Sequence, residues 1–429
     1  MDKDQFIETL QNNVAFQLSL TSKELFHSNF LAWLAEDNAT RGIFNELLQN
    51  CFGAKGLTFD PEKMMVMREY KNFDLCICEK LKNKNENLEE DTEPEFIPGD
   101  VLFVLENKVK SLPYKEQLKK YQTRVENENK NKHKAQYCLL SLAKGFKDFG
   151  EDWIVATYEE YAQALRKANK TNGDNSFKKD LINNYCEFIE TFSGYIEECL
   201  KEVCSKDGDD KDVYDKDAIN SEATWNILIN HQEFRDIRCN DIWQKIVMQH
   251  CAKVLAAKIK ATFGKEATMA HSDKDIWQEK GTENKGVIFT MVNFFHGEAL
   301  LELKYLIPGK GIFAFQQQGN HPLRIGILAM SKAYIVNTPK KKENKAGWQT
   351  NVENYFGECG LLDYIKLKPK SQDKNEVNTY KSFGSFYYGY LTDEATNEPA
   401  SIEQTLDEMV KVLKKLKPLI DPQESSSKD

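Results

Sequence analysis

The chain has 429 residues, with 58 Lys and Arg against 67 Asp and Glu and a formal net charge of −9. That length predicts two domains of about 200 residues each, and the acidic balance excludes a surface coated in basic charge for indiscriminate nucleic-acid binding, though not a local basic patch. The ten cysteines show no CxxC pair and read as small core residues in a reducing cytosol.

The N-terminus, MDKDQFIETL, lacks a basic stretch followed by an apolar one, and no apolar run is long enough to cross a bilayer, so a cytoplasmic protein is expected. Phe6, Leu10, Val14 and Leu18 recur every four residues and predict one helix over about 4–18. A second helix starts at TSKE, where Thr21 and Glu24 fit a capping box and Leu25, Phe30, Leu31 and Leu34 form the buried side. The run MMVMREYKNFDLCICE predicts one or two strands through Val66 to Cys78, with Cys76 and Cys78 on one face. KLKNKNENLEEDTEPEFIPG is too charged to pack and reads as a surface excursion. After it come the strand VLFVLENK, a helix bearing Gln117 and Tyr121, the strand QYCLLSL, a short strand running into a helix at WIVATYEEYAQALRKA, and a closing helix through about Leu200.

The acidic stretch 205–217 is the expected linker between domains 1–204 and 218–420. Beyond it lie helices to about Lys260, then the strands GVIFTMVNFF, ALLELKYLI, GIFAFQQQ, LRIGILAM and SFYYGYL, and a last helix from Ile402 to about Leu416. This order predicts an α+β domain with an antiparallel sheet, followed by a disordered tail, 421–429.

Chemistry concentrates at the end of the Val104 strand. Alternation places Glu106 and Lys108 on one face and Asn107 on the other. Ionisable groups finishing so apolar a run are expensive to bury unless paired or bound. A site accounts for them: the carboxylate takes a hard cation, and the ammonium faces an anion or a metal-bound water. The bland alternative is a strand reaching solvent with a surface ion pair. Asp74, inside an upstream apolar strand, needs a reason there and is brought alongside by strand pairing. Asp100 lies six extended residues from Glu106, about 20 Å, too far to share one metal. Gln117 and Tyr121, four apart, share a helix face, with Tyr114 adding to it.

In this order the residues resemble the PD-(D/E)XK nuclease superfamily, in particular its bacterial members with an E-N-K strand and a QLxxY helix. Carrying the resemblance are Asp74, Glu106-Asn107-Lys108, Gln117-Leu118-Lys119-Lys120-Tyr121, the upstream KELFHSNFLAWL and the later WIVATYEEYAQAL. It covers about residues 20–170, has a long insertion between Asp74 and Glu106, and has Phe73 where the motif proline stands. It implies a restriction-endonuclease-like α/β/α core and a phosphodiesterase requiring Mg²⁺ or Mn²⁺. Asp74 and Glu106 would bind the metal, with Glu24 completing the set unless it serves the capping box. Lys108 would orient or deprotonate the attacking water and neutralise the phosphate, and Gln117 and Tyr121 would position substrate or support the site. His27 and Ser28, on the Glu24 helix, read as structural.

Lys110, Lys115, Lys119, Lys120, Arg124, Lys130, Lys132 and Lys134 suit a groove tracking a nucleic-acid backbone, or else a solvated helix face. In the second domain PKKKENK, Trp348, Phe294, Phe295, Tyr387, Tyr388 and Tyr390 read mainly as basic loop and sheet core. The leading expectation is a DNA nuclease, RNA not excluded, in a setting of bacterial defence, its second domain selecting substrate or partner. The alternatives are an inactive scaffold binding nucleic acid or protein through the same fold, and an interaction protein with an accidental Glu-x-Lys.

Overall fold

The computed structural model describes residues 3–20, 24–83, 96–109, 115–129, 134–142, 152–171, 176–206, 214–229, 231–265, 267–270, 276, 286–295, 298–307, 311–319, 321–328, 354, 357, 381–383, 386–390 and 401–420. The chain divides into two units: residues 1–198 with 236–238, and residues 199–235 with 239–429.

In the first unit the expected single N-terminal helix is two, α1 (Lys3–Asn12) and α2 (Val14–Ser19). Asn13 breaks it. Its side chain caps α2 by accepting from the Phe16 N–H and donates to the Asn184 carbonyl. The break rephases the helix, so Phe16 is buried while Val14 and Leu18, expected in the buried stripe, are exposed. Helix α3 (Leu25–Glu36) is apolar on most sides and correspondingly buried; α4 (Arg41–Asn50) follows it.

Five strands make one sheet in chain order: β1 (Met64–Arg68), β2 (Leu75–Lys82), β3 (Phe96–Lys108), β4 (Gln136–Ser141) and β5 (Trp153–Thr157). The first three pair antiparallel, the last three parallel. Strand β2 extends three residues into one end of the expected surface excursion and β3 four into the other, and 84–95 lie outside the described residues. A bulge interrupts their pairing. Asn129 fills it by bonding both the N–H and the carbonyl of Val101, and a Cβ at Gly99 would lie 2.9 Å from Leu81 Cδ1, so the strands close up only over glycine.

Helix α5 (Lys115–Glu128) covers one face of this sheet, with Leu118, Tyr121 and Val125 packed on Phe73, Cys76, Cys78, Val104 and Leu139. Burying each of the first and last of those helix side chains is worth about 1.5–3 kcal/mol. On the other face, Phe52 stacks on Phe103 and packs against Tyr161 of α6 (Tyr158–Thr171). Helix α7 (Ser176–Val203) completes that side with Tyr185 and Phe188. The result is a mixed α/β sandwich.

The second unit opens with β6 (Cys204–Lys206) and β7 (Tyr214–Ile219), which pair antiparallel. Strand therefore occupies both ends of the stretch expected as linker, because backbone pairing does not require apolar side chains; 207–213 lie outside the described residues. Helices α8 (Trp225–Ile229), α9 (Gln232–Asp236) and α10 (Asn240–Phe263) precede a seven-stranded sheet. Its strands are β8 (Thr268–Ala270), β9 (Ile288–Phe295), β10 (Glu298–Ile307), β11 (Gly311–Gln318), β12 (Arg324–Leu328), β13 (Lys381–Phe383) and β14 (Phe386–Tyr390). Their order is β13-β14-β12-β11-β10-β9-β8, antiparallel apart from β8 with β9. A last helix, α11, spans Ile402–Ile420. PKKKENK, Trp348 and the tail lie outside the described residues, as do the side chains of Phe294, Phe295, Tyr387 and Tyr390; Tyr388 is buried. Among the described residues no helix is long and apolar enough to cross a membrane.

Candidate active site

Strand β3 delivers Glu106, Asn107 and Lys108 to the end of its apolar run while all three remain buried, at 1 %, 0 % and 7 % exposure. The pleat separates them as alternation requires. Lys108 Nζ lies 2.6 Å from Glu106 Oε1, and Gln117 Nε2 of α5 donates to that same oxygen at 3.1 Å. Gln117 is also 2.7 Å from the Tyr121 hydroxyl, one turn on, so two residues of one helix face steady the carboxylate.

Asp74 comes alongside because antiparallel pairing sets Leu75 opposite Leu105, which leaves the preceding residue beside Glu106. Its Oδ2 accepts the backbone N–H of Asn107 at 2.6 Å. The turn presenting it is unusual: Glu69, Lys71 and Asn72 all have positive φ, at 52°, 55° and 67°. Left-handed non-glycine residues cost on the order of 1 kcal/mol or more each and persist only where surroundings impose them. Here α5 imposes them. Arg124 Nη1 donates to the Lys71 carbonyl, and Lys71 pairs with Glu128. Arg124, expected in a phosphate-tracking groove, is therefore committed to the Asp74 turn.

The electrostatics follow from crowding. Burial, then the nearby Asp74 charge, pushes the Glu106 carboxyl from 4.5 up to about 8, against the opposing pull of Lys108. Burial also raises Asp74, offset by the Asn107 N–H and by Lys108. Burial opposes the charge on Lys108, yet Glu106, Asp74 and Glu24 together hold its pKa above the ordinary value. The two carboxyls sit close enough to share a proton. With both ionised, Glu106 Oε2 is buried without a hydrogen-bond donor among the described residues. Two facing carboxylates with an unfilled oxygen fit a divalent cation, which would replace the shared proton.

Glu24 is placed differently from the expectation. It is the N-cap of α3, with no side-chain capping bond, and Thr21 lies outside the described residues. A reciprocal capping box is found instead at Thr157 and Glu160, which fixes Tyr158 as the first residue of α6. Glu24 influences Asp74 and Lys108 through its charge. Among the described residues, no three His, Cys, Asp or Glu side chains form a group that could hold a metal ion. Tyr114, Lys110, Lys130 and Lys132 lie outside the described residues, as does the side chain of Lys115. Lys119 and Lys120 are exposed on α5, and Lys134 pairs with Asp152.

Residues 12–187 match the family model described as the PD-(D/E)XK nuclease superfamily. The match spans less than half of the chain, and over that stretch the chain is similar to that superfamily. PD-(D/E)XK proteins are in general nucleases acting on nucleic acid, and they typically use divalent metal ions. The match contains Asp74, Glu106, Lys108, Gln117 and Tyr121 and ends before the second unit. No curated protein and no solved structure matches the chain.

The sequence reading missed the other side of β3. Asn107 Nδ2 donates to Ser28 Oγ of α3 at 3.1 Å, and the Tyr158 hydroxyl donates to Asn107 Oδ1 at 2.7 Å. The signal in the sequence was that a buried asparagine on an apolar strand needs polar partners, which the KELFHSN helix and the Tyr158 turn could supply.

Proposed function

We propose that the first domain, 1–204, is a metal-dependent nuclease that hydrolyses phosphodiester bonds in DNA, with Asp74 and Glu106 holding Mg²⁺ or Mn²⁺. The observation that carries this reading is the buried Oε2 of Glu106, which finds no donor among the described residues, in a carboxyl that sits beside Asp74 and a charged lysine. An oxygen so placed costs on the order of 1–3 kcal/mol if nothing ever fills it. A bound divalent ion supplies positive charge at the scissile phosphate and lowers the pKa of water.

The chain's own residues then have distinct tasks. Lys108, held ammonium by the acids around it, neutralises the phosphate and orients the attacking water; with its pKa raised it is no general base in this state. Gln117 fixes the Glu106 carboxylate, and Tyr121 fixes Gln117. The exposed Lys119 and Lys120 lie on the same helix and track the backbone of the substrate. The second domain, 218–420, is left the choice of substrate or partner.

The test is an assay of the purified full-length chain on single- and double-stranded DNA and on RNA, with Mg²⁺ or Mn²⁺. Cleavage that stops with EDTA and is lost in Lys108→Ala, while circular dichroism stays native, is the expected result. Retained nucleic-acid binding without cleavage under either metal would replace the enzyme by a binding scaffold. Cleavage of RNA alone would correct the substrate.

A further inference from the structure

One of the groups that hold Asp74 in place is braced from the far side of the sheet. Asn107 is the only residue between Glu106 and Lys108, and its backbone N–H is the donor to Asp74. Its side chain points through the sheet to the opposite layer, where it is completely buried and held at both ends. Nδ2 donates to Ser28 on α3, and Oδ1 accepts from Tyr158 at the start of α6. Tyr158 cannot swing away, because the Thr157–Glu160 capping box fixes its backbone and the His27 ring packs edge-on against it with centroids 5.0 Å apart. His27 is itself fixed by a 2.6 Å hydrogen bond to Tyr185 of α7. Burial keeps that imidazole neutral, its pKa lowered to about 3, so the brace carries no charge that would compete with the acids across the strand.

We infer that Asn107 is a positioning residue: clamped by Ser28 and Tyr158, it fixes the peptide plane whose N–H holds Asp74 against Glu106. This deepens the nuclease reading and rests on it for its consequence in catalysis, but the mechanical claim stands on geometry alone. Two hydrogen bonds from two different helices define the side chain's position, and the peptide between Glu106 and Asn107 is rigid. Rotating that peptide would break the Asp74 hydrogen bond and reopen the spacing between the carboxylates. Outer partners of this kind tune metal sites without touching the metal.

The decisive experiment compares Tyr158→Phe and Ser28→Ala with the wild-type full-length chain. Each removes one hydroxyl at nearly constant volume and touches neither Asp74 nor Glu106. Tyr161→Phe, which deletes another buried hydroxyl one turn along α6, is the control. Without metal, the exchange rate of the Asn107 amide should rise about tenfold in the first two variants, the equilibrium effect of one buried hydrogen bond, and stay put in the control. Their melting temperatures should fall by only a few degrees. Mn²⁺ affinity by calorimetry should fall about 10–100-fold in the same two variants. Unchanged Asn107 exchange, or an equal rise in Tyr161→Phe, overturns the positioning role. A wild-type chain that binds no Mn²⁺ and cleaves nothing ends the nuclease reading instead, and the exchange data still decide whether Asn107 holds Asp74.

Discussion

Glu106–Lys108 on β3 and Glu302–Lys304 on β10 are the same three-residue pattern in two different sheets. Each is an ion pair buried on a central strand, at 2.6 Å in the first unit and 2.9 Å in the second. Their hydrogen-bond accounts differ. Glu302 Oε2 accepts from Asn293 at 2.6 Å, and Oε1 accepts from Gln316 at 2.6 Å as well as pairing with Lys304. Among the described residues Glu106 fills only Oε1, and its carboxyl sits beside a second acid, Asp74. A Glu-x-Lys buried among amides is a closed structural network; one with an oxygen left over beside another carboxylate is open to a ligand. The motif alone does not distinguish them. Donors arriving from neighbouring strands do.

The largest effects should break the two pairs in different ways. Glu106→Gln should lower cleavage on the order of 10³-fold, whereas Glu302→Gln should leave the rate per folded molecule unchanged, as single-turnover assays on matched folded fractions would reveal. A comparable loss in both variants would merge the two pairs into one functional class. Conversely, Lys304→Ala strands a buried carboxylate and should cost about 3–5 kcal/mol in urea unfolding, while cleavage by the remaining folded protein persists.

A smaller effect is in pH. The Glu106 carboxyl titrates at about 8 in the folded chain against 4.5 ordinarily, so the fold binds its proton more tightly than the unfolded chain does. The stability this contributes is fully present below pH 4.5 and is lost as pH rises towards 8. Metal-free Glu106→Gln should flatten that decline in thermal melts, and Mn²⁺ should offset it in the wild type; an unaltered pH profile in the variant would place the decline elsewhere. Gln117→Ala should weaken Mn²⁺ binding about tenfold, since it orients the carboxylate without completing the site. The smallest change belongs to Lys119→Gln with Lys120→Gln: the fold should not respond, and the slope of log affinity against log salt should shrink by about 0.9 for each duplex phosphate left without its lysine.

Much of the first unit was legible because its signals are local. Alternation alone put Glu106 and Lys108 together and Asn107 opposite, and a four-residue spacing joined Gln117 to Tyr121. The misreadings concern polar groups. Phe6, Leu10, Val14 and Leu18 form a perfect stripe, yet Asn13 finds partners on α7 and breaks it. Thr21 and Glu24 have the capping-box spacing, but Glu24 is itself the N-cap, and the box forms at Thr157 and Glu160. Arg124 looked like one more residue of a basic groove until a strained turn claimed its guanidinium. For Asn13 and Arg124, a polar group with several local choices was captured by a partner distant in sequence.

By itself, the sequence determined which residues alternate, which share a helix face, and that an acid and an amine finish an apolar strand, because these depend on periods of about 2 and 3.6 residues. Only the tertiary structure decided that Asp74 comes beside Glu106, that Asn107 is braced from two helices, and that Glu302 is saturated. Those outcomes depend on which donors and acceptors meet across the fold. A buried oxygen's role is set by the neighbours it finds there.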